Sequence, residues 1–261
     1  MQKVNSKDGA KIAFDKTGQG PAVILVDGAL CYRSFGPMPK LAPLLAPNFT
    51  VYFYDRRGRG DSGDAKPYAV EREIEDLEAL IKEAGGSACV LGLSSGAALA
   101  LKAAAQGLNI KKLALYEPPF MVAQNGHRPP ADHQAQLNNL IAADRRGDAV
   151  SFFMTKMVGA PAIFAFIMRL LPVWSKLKAV AHTLPHDAAI MGDFSLPTRL
   201  VASINVPTLV MGGGKSPANL RQAVQAVADT LPGARLRTLE GQTHNASMKV
   251  LAPILREFFS G

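Results

Sequence analysis

Ser94 stands at the centre of Gly92-Leu93-Ser94-Ser95-Gly96, between the apolar run Ala88-Cys89-Val90-Leu91 and the small-residue stretch Ala97-Ala98-Leu99-Ala100-Leu101. A strand that turns sharply into a helix strains its corner residue and crowds the positions two before and two after it, where glycine fits best. A serine in that corner holds its hydroxyl out at the carboxyl edge of a sheet, as a nucleophile. The competing reading is an ordinary strand-helix connection, because Gly and Ser are common in loops.

A neutral hydroxyl attacks poorly unless an imidazole takes its proton and later returns it to a leaving group. His244 is the candidate base: it follows the last apolar strand, precedes the last amphipathic helix and shares its turn with Gly241. His127, His133, His182 and His186 lie in or at the edge of a helical middle segment. They read as solvated or packing residues, although a histidine there can touch substrate.

These side chains need elements to position them. Lys11–Phe14 alternates before the turn Gly18-Gln19-Gly20-Pro21, and Ala22–Val26 is apolar on both faces, as a strand covered by helices on each side is. A helix is predicted over Pro37–Leu45 and a strand over Thr50–Tyr54, and Val70, Ile74, Leu77 and Ile81 mark one helical face. Strand and helix alternate again over 88–106. A further strand, Lys112–Tyr116, ends in Glu117-Pro118-Pro119, where proline stops the ladder. From about Phe120 to Leu196 the pattern is helical without a clear strand. The alternation then resumes with Thr208–Met211, a helix near Pro217–Thr230, the strand Arg235–Leu239 and a closing helix through Met248, Leu251, Leu255 and Phe258. This predicts an α/β fold: a mostly parallel central sheet covered by helices on both faces, residues 1–119 and 197–261, with an inserted helical cap at 120–196. Reactive groups then belong at the carboxyl ends of the strands.

Four segments in this order resemble the α/β-hydrolase fold enzymes over nearly the whole chain. Val26-Asp27-Gly28-Ala29 resembles the family's His-Gly oxyanion loop, with Asp27 in place of the usual histidine. Tyr54-Asp55-Arg56-Arg57-Gly58-Arg59-Gly60-Asp61-Ser62-Gly63 resembles its loop after the fourth strand. The turn at Ser94 and Gly241-Gln242-Thr243-His244 are the others. The resemblance implies a Ser94 nucleophile, a His244 base and an oxyanion hole from the backbone N–H groups of Ala29 and Ser95.

The resemblance also implies an acid, and here the chain departs from the commoner pattern. The family usually supplies Asp after the strand at 208–211, whereas this chain reads Gly212-Gly213-Gly214-Lys215-Ser216-Pro217. Some members carry the acid after the strand preceding the cap, which here places Glu117 in the role and keeps the order nucleophile, acid, histidine. A cap carboxylate such as Asp193 and a Ser-His dyad helped by Ser216 stay open. So does pairing of Glu117 with an arginine at 56–59. Gly214-Lys215-Ser216 is not a phosphate loop, because the first glycine of that motif would have to stand at Leu209; its glycines are expected to let the chain turn tightly beneath His244. Asp27 would oppose an oxyanion and is expected to turn away into a hydrogen-bonded or Arg-paired position. The arginines of the 54–63 loop are expected to anchor structure, with Asp55 and Asp61 as partners.

Composition narrows the function further. The chain has 261 residues, 48% of them apolar, enough for one large core. Its N-terminus has no apolar signal-like run, which places the expectation in the cytoplasm. Ala160–Trp174 falls short of the roughly 18–20 apolar residues of a membrane span. Cys31 and Cys89 read as buried thiols, no Cys/His cluster has zinc spacing, and neither metal nor cofactor is expected. The net charge of +8 is scattered rather than gathered into a stripe with aromatics, so no nucleic-acid partner is expected; a homo-oligomer is left open. Phe152, Phe153, Met154, Met157, Phe164, Phe166, Met168, Leu171 and Trp174 offer the cap its own core and an apolar cleft wall. The expected partner is a small hydrophobic substrate. The reading is a serine hydrolase that cleaves a hydrophobic or aromatic carboxylic ester through an acyl-enzyme. The alternative is a non-hydrolytic ligand binder or cyclase-like member of the same fold with a relaxed triad.

Overall fold

The computed structural model describes residues 1–122 and 127–261. Eight strands form one sheet: β1 Gln2–Asn5, β2 Lys11–Thr17, β3 Ala22–Val26, β4 Thr50–Tyr54, β5 Ala88–Leu93, β6 Ile110–Tyr116, β7 Thr208–Gly213 and β8 Arg235–Leu239. Their spatial order is β1-β2-β4-β3-β5-β6-β7-β8. β1 and β2 join antiparallel, as do β2 and β4, and every pair from β4 onward is parallel. β1 has no counterpart in the sequence reading. Gln2, Lys3 and Asn5 are exposed, so an edge strand of this kind carries no apolar run for periodicity to detect.

The helices of the frame are α1 Met38–Leu45, α2 Val70–Glu83, α3 Ser95–Ala105 and, later in the chain, α10 Ala218–Thr230 and α11 Met248–Ser260. The alternation along β3 shows how they divide: Val23 and Leu25 enter the core beneath α1 and α11, while Ile24 and Val26 enter the larger core shared with α2, α3 and α10. Both faces of the central strands are therefore buried, as parallel strands require.

Between β6 and β7 lie α4 His133–Ala142, α5 Arg146–Phe152, a π-helical turn Phe153–Met157, α6 Ala162–Arg169, α7 Val173–Ala179, a 3-10 turn Ala181–Thr183, α8 Leu184–Met191 and α9 Thr198–Ala202. α8 rests on α2 and α3, and α9 packs on α3 and α10. Among the described residues, no helix is long and apolar enough to cross a membrane.

Candidate active site

Ser94 is the hinge between β5 and α3, with φ 53° and ψ −125°, a region that side chains with a Cβ rarely adopt. Its flanking glycines are needed for space. A Cβ at Gly92 would lie 2.6 Å from the Ala97 Cα and the Gly96 carbonyl, and one at Gly96 would lie 2.5 Å from the carbonyl oxygens of Val26 and Asp27. Gly96 thus lets α3 press against the end of β3. Gly28 completes the approach, since its Cβ would stand 3.1 Å from that of Ser94.

Strain concentrates here. Of the five non-glycine residues with positive φ among those described, Ser94 and Glu117 are candidate site residues, Leu30 follows Ala29, and Phe194 lines the cavity described below. Such conformations persist only where the surroundings over-determine them.

Glu117, at the carboxyl end of β6, is fully buried. Its Oε1 accepts a 2.7 Å bond from the Gly213 N–H and its Oε2 meets Nδ1 of His244 at 2.7 Å. Burial works against the carboxylate charge, but the His244 bond, the Ser216 hydroxyl and the Gly213 amide outweigh it and hold the Glu117 pKa below its ordinary value. An ionised carboxylate only accepts, so Nδ1 carries the proton and Nε2 keeps a free lone pair. Among the alternatives the sequence left open, Asp193 bonds to Ser195 near the surface, and Arg56, Arg57 and Arg59 bond to other carboxylates. Ser216 sits beside Glu117 rather than replacing it. The end of β7 and the turn after it pack against the His244 loop: Lys215 N–H bonds to the Gln242 carbonyl, and a Cβ at Gly213 would lie 2.5 Å from that same oxygen.

Ser94, Ser95, Ala29 and His244 line one cavity of about 540 Å³. The rest of its wall is largely apolar and includes Phe120, Met121, Phe153, Met157, Met191, Phe194 and Leu220. The sequence reading located this wall only in part. Phe153 and Met157 face the cavity, whereas Phe164, Phe166 and Leu171 stand in solvent and Trp174 is buried in the core. Phe120, Phe194 and Leu220 went unread because they lie on separate loops and helices that only the fold brings together. His127 also borders the cavity. His133 and His182 bond to the carbonyls of Pro130 and Gly58, and His186 stacks on Tyr68 with ring centroids 3.8 Å apart.

The arginine loop anchors structure, but through partners other than those expected. Arg56 makes a forked pair with Glu73 and reaches Asp187 at 2.8 Å; Arg57 binds Asp76 and Asp8; Arg59 binds Asp187 at 2.7 Å and the carbonyl of Gly28 at 2.6 Å. Asp55 and Asp61 serve Arg33 instead. The correction has a simple cause. Glu73 and Asp76 lie on α2 and Asp187 on α8, so side chains distant in sequence reach guanidinium groups that point inward, away from their own loop.

Asp27 accepts a 3.1 Å bond from the Gly28 N–H. Burial, opposed by Arg59, that amide, Arg56 and Cys31, raises its pKa to about 7. Asp187 is the residue the sequence reading missed. Burial opposes its charge too, but Arg59, Arg56 and the Ser95 hydroxyl hold its pKa below the ordinary value.

The Alpha/beta hydrolase family is matched over residues 23–252. The chain belongs to this family. It is accordingly a hydrolase, with the eight-stranded sheet of that fold. An alpha/beta hydrolase from Sphaerobacter thermophilus is 56% identical over 99% of this chain and 100% of its own, with a TM-score of 0.92. A pimeloyl-[acyl-carrier protein] methyl ester esterase of Neisseria meningitidis is 26% identical over 85% of this chain and 72% of its own length. A thermophilic esterase from Thermogutta terrifontis, 23% identical over 99% of this chain and 97% of its own, shares the fold with a TM-score of 0.70.

Proposed function

We propose that this hydrolase cleaves an apolar carboxylic ester through an acyl-enzyme on Ser94. The observation that carries the reading is the convergence of Ser94, His244, Ala29 and Ser95 on one apolar cavity, with Glu117 bonded to the far side of the imidazole. In this mechanism the Ser94 Oγ attacks the ester carbonyl carbon while Nε2 of His244 takes its proton. The carbonyl oxygen becomes an oxyanion held by the N–H groups of Ala29 and Ser95, the latter opening α3 where the first amides lack helical partners. Collapse breaks the C–O bond and the alcohol leaves with the proton from His244. Water, deprotonated by the same imidazole, then releases the acid and regenerates Ser94. Glu117 orients the ring and stabilises the imidazolium.

The helical segment 120–196 serves as a cap over a core of 1–119 and 197–261, and its apolar contribution to the cavity favours a hydrophobic or aromatic acyl group. The names of the Neisseria and Thermogutta proteins support ester chemistry.

The test is turnover of p-nitrophenyl acetate and butyrate, and labelling by a fluorophosphonate probe, in the parent and in Ser94→Ala. Hydrolysis and labelling in the parent, both lost in Ser94→Ala, are expected. Absence of both in a folded parent would favour the non-hydrolytic binder.

A further inference from the structure

α6 is an unusual element for a protein surface. Of the eleven large apolar side chains that stand exposed among the described residues, six fall between 163 and 171: Ile163, Phe164, Phe166, Ile167, Leu170 and Leu171. Leu170 is 73% exposed and Phe166 59%. Within α6 itself only Ala165 is buried, so the helix touches the protein along a narrow line and shows apolar groups around most of its circumference. A helix apolar on nearly all sides needs a cover.

Charge identifies the cover. Residues 144–178 contain six Lys or Arg (Arg145, Arg146, Lys156, Arg169, Lys176, Lys178) against two carboxylates, Asp144 and Asp148, and from 149 to 186 there is no Asp or Glu at all. Arg169 is tied to Asp148 and Ser151, whereas Lys156 precedes α6 and Lys176 and Lys178 stand exposed on α7, which packs on α6. An apolar ridge whose fringe holds six cations against two carboxylates, one of them taken up by Arg169, is complementary to an anionic lipid surface. A second copy of the chain fits it less well. Two such ridges brought together would juxtapose the same cationic fringes, and pairing would cover one side of a helix exposed on most sides. Acyl chains wrap a protruding helix from all sides.

We propose that α6 inserts into the interface of an anionic membrane and seats the protein there. The geometry adds a route. Val158 and Gly159, just before α6, line the cavity that holds Ser94 and His244, so an apolar ester dissolved in the lipid lies within a short reach of the site. That delivery step rests on the hydrolase reading; the docking does not.

The experiment is co-sedimentation of the full chain with phosphatidylcholine vesicles and with vesicles containing phosphatidylglycerol, at low and high salt, beside analytical ultracentrifugation without lipid. The double variant Phe166→Ser and Ile167→Ser removes exposed groups and leaves the cavity lining untouched, and its far-ultraviolet circular dichroism and thermal unfolding report that it remains folded. Expected are binding to the anionic vesicles, weakened by salt, a monomer without lipid, and at least a tenfold loss of partitioning in the variant, roughly what removing two buried apolar side chains should give. Failure of the parent to bind either vesicle, equal binding to both compositions, or a lipid-free dimer abolished by the double substitution would each overturn the proposal. None of these outcomes depends on whether the esterase reading holds.

Discussion

The Ser95 hydroxyl, adjacent to the candidate nucleophile, donates a 2.8 Å hydrogen bond to Asp187, a buried carboxylate on α8 that also receives Arg56 and Arg59. Ninety-two residues separate the two in sequence. The bond joins the start of α3 to the helices inserted between β6 and β7, and two buried guanidinium groups depend on it for balance.

Removing that carboxylate leaves Arg59 without an acidic ion-pair partner among the described residues and Arg56 with Glu73 alone. Asp187→Ala is therefore expected to lower unfolding free energy by about 3–5 kcal/mol, the usual cost of stranding a buried charge, as read from urea denaturation. A loss below about 1 kcal/mol would show that the pairing does not anchor α8.

Glu117→Gln tests the orienting acid. The Gly213 N–H requires an acceptor at Oε1, so the amide nitrogen of Gln must face Nδ1 of His244 and demand a lone pair there. That forces the wrong tautomer. We expect kcat for p-nitrophenyl butyrate to fall by roughly 100-fold to 10,000-fold with KM little changed; a loss below about threefold in a folded protein would remove Glu117 from the mechanism.

Gly96→Ala places a methyl group 2.5 Å from two backbone carbonyls of the Val26–Asp27 segment, which cannot swing aside as a flexible side chain can. It should cost about 1–3 kcal/mol of stability and most of the activity, by displacing Ala29 from the nucleophile. Gly147→Ala, on α5 with nothing closer than 3.7 Å, should be neutral or stabilising by up to about 1 kcal/mol. Thermal unfolding of the pair separates crowding from a general intolerance of glycine replacement.

Asp27 sets a pH dependence of stability. Its pKa is raised from 3.8 to about 7, with burial the largest cause, so between those values the folded state holds a proton that the unfolded state has released. Stability contributed by this group is present at acid pH and lost as pH rises through about 7. Asp27→Asn keeps the acceptor for the Gly28 amide and should flatten that part of the stability profile. An unchanged slope between pH 4 and pH 7 in chemical denaturation would rule out Asp27 as its source.

Met157 is buried and forms part of the cavity wall. Met157→Trp should narrow the cavity and raise KM for p-nitrophenyl hexanoate about tenfold or more while sparing the acetate, because a mismatch of a few methylene groups in an apolar pocket is worth about 1–3 kcal/mol each. Equal effects on both esters would place the acyl chain elsewhere.

The strand-helix alternation, the strained corner at Ser94 and the late His244 were legible in the sequence because each is a local signal: apolar periodicity over a few residues, glycines two before and two after a serine, a histidine between a strand and a helix. Glu117 was legible through its place at the end of β6. The partners of the arginine loop were not, because a guanidinium group has no preference along the chain and selects whichever carboxylate the packing brings within reach; for Arg56 and Asp187 that means crossing 131 residues. Likewise, composition identified an apolar middle segment but could not tell Met157, which faces the cavity, from Phe166, which faces solvent. Periodicity assigns residues to faces of a helix. Which face meets core, cavity or solvent is decided only when the helices pack against the sheet, and with it the cover that α6 requires.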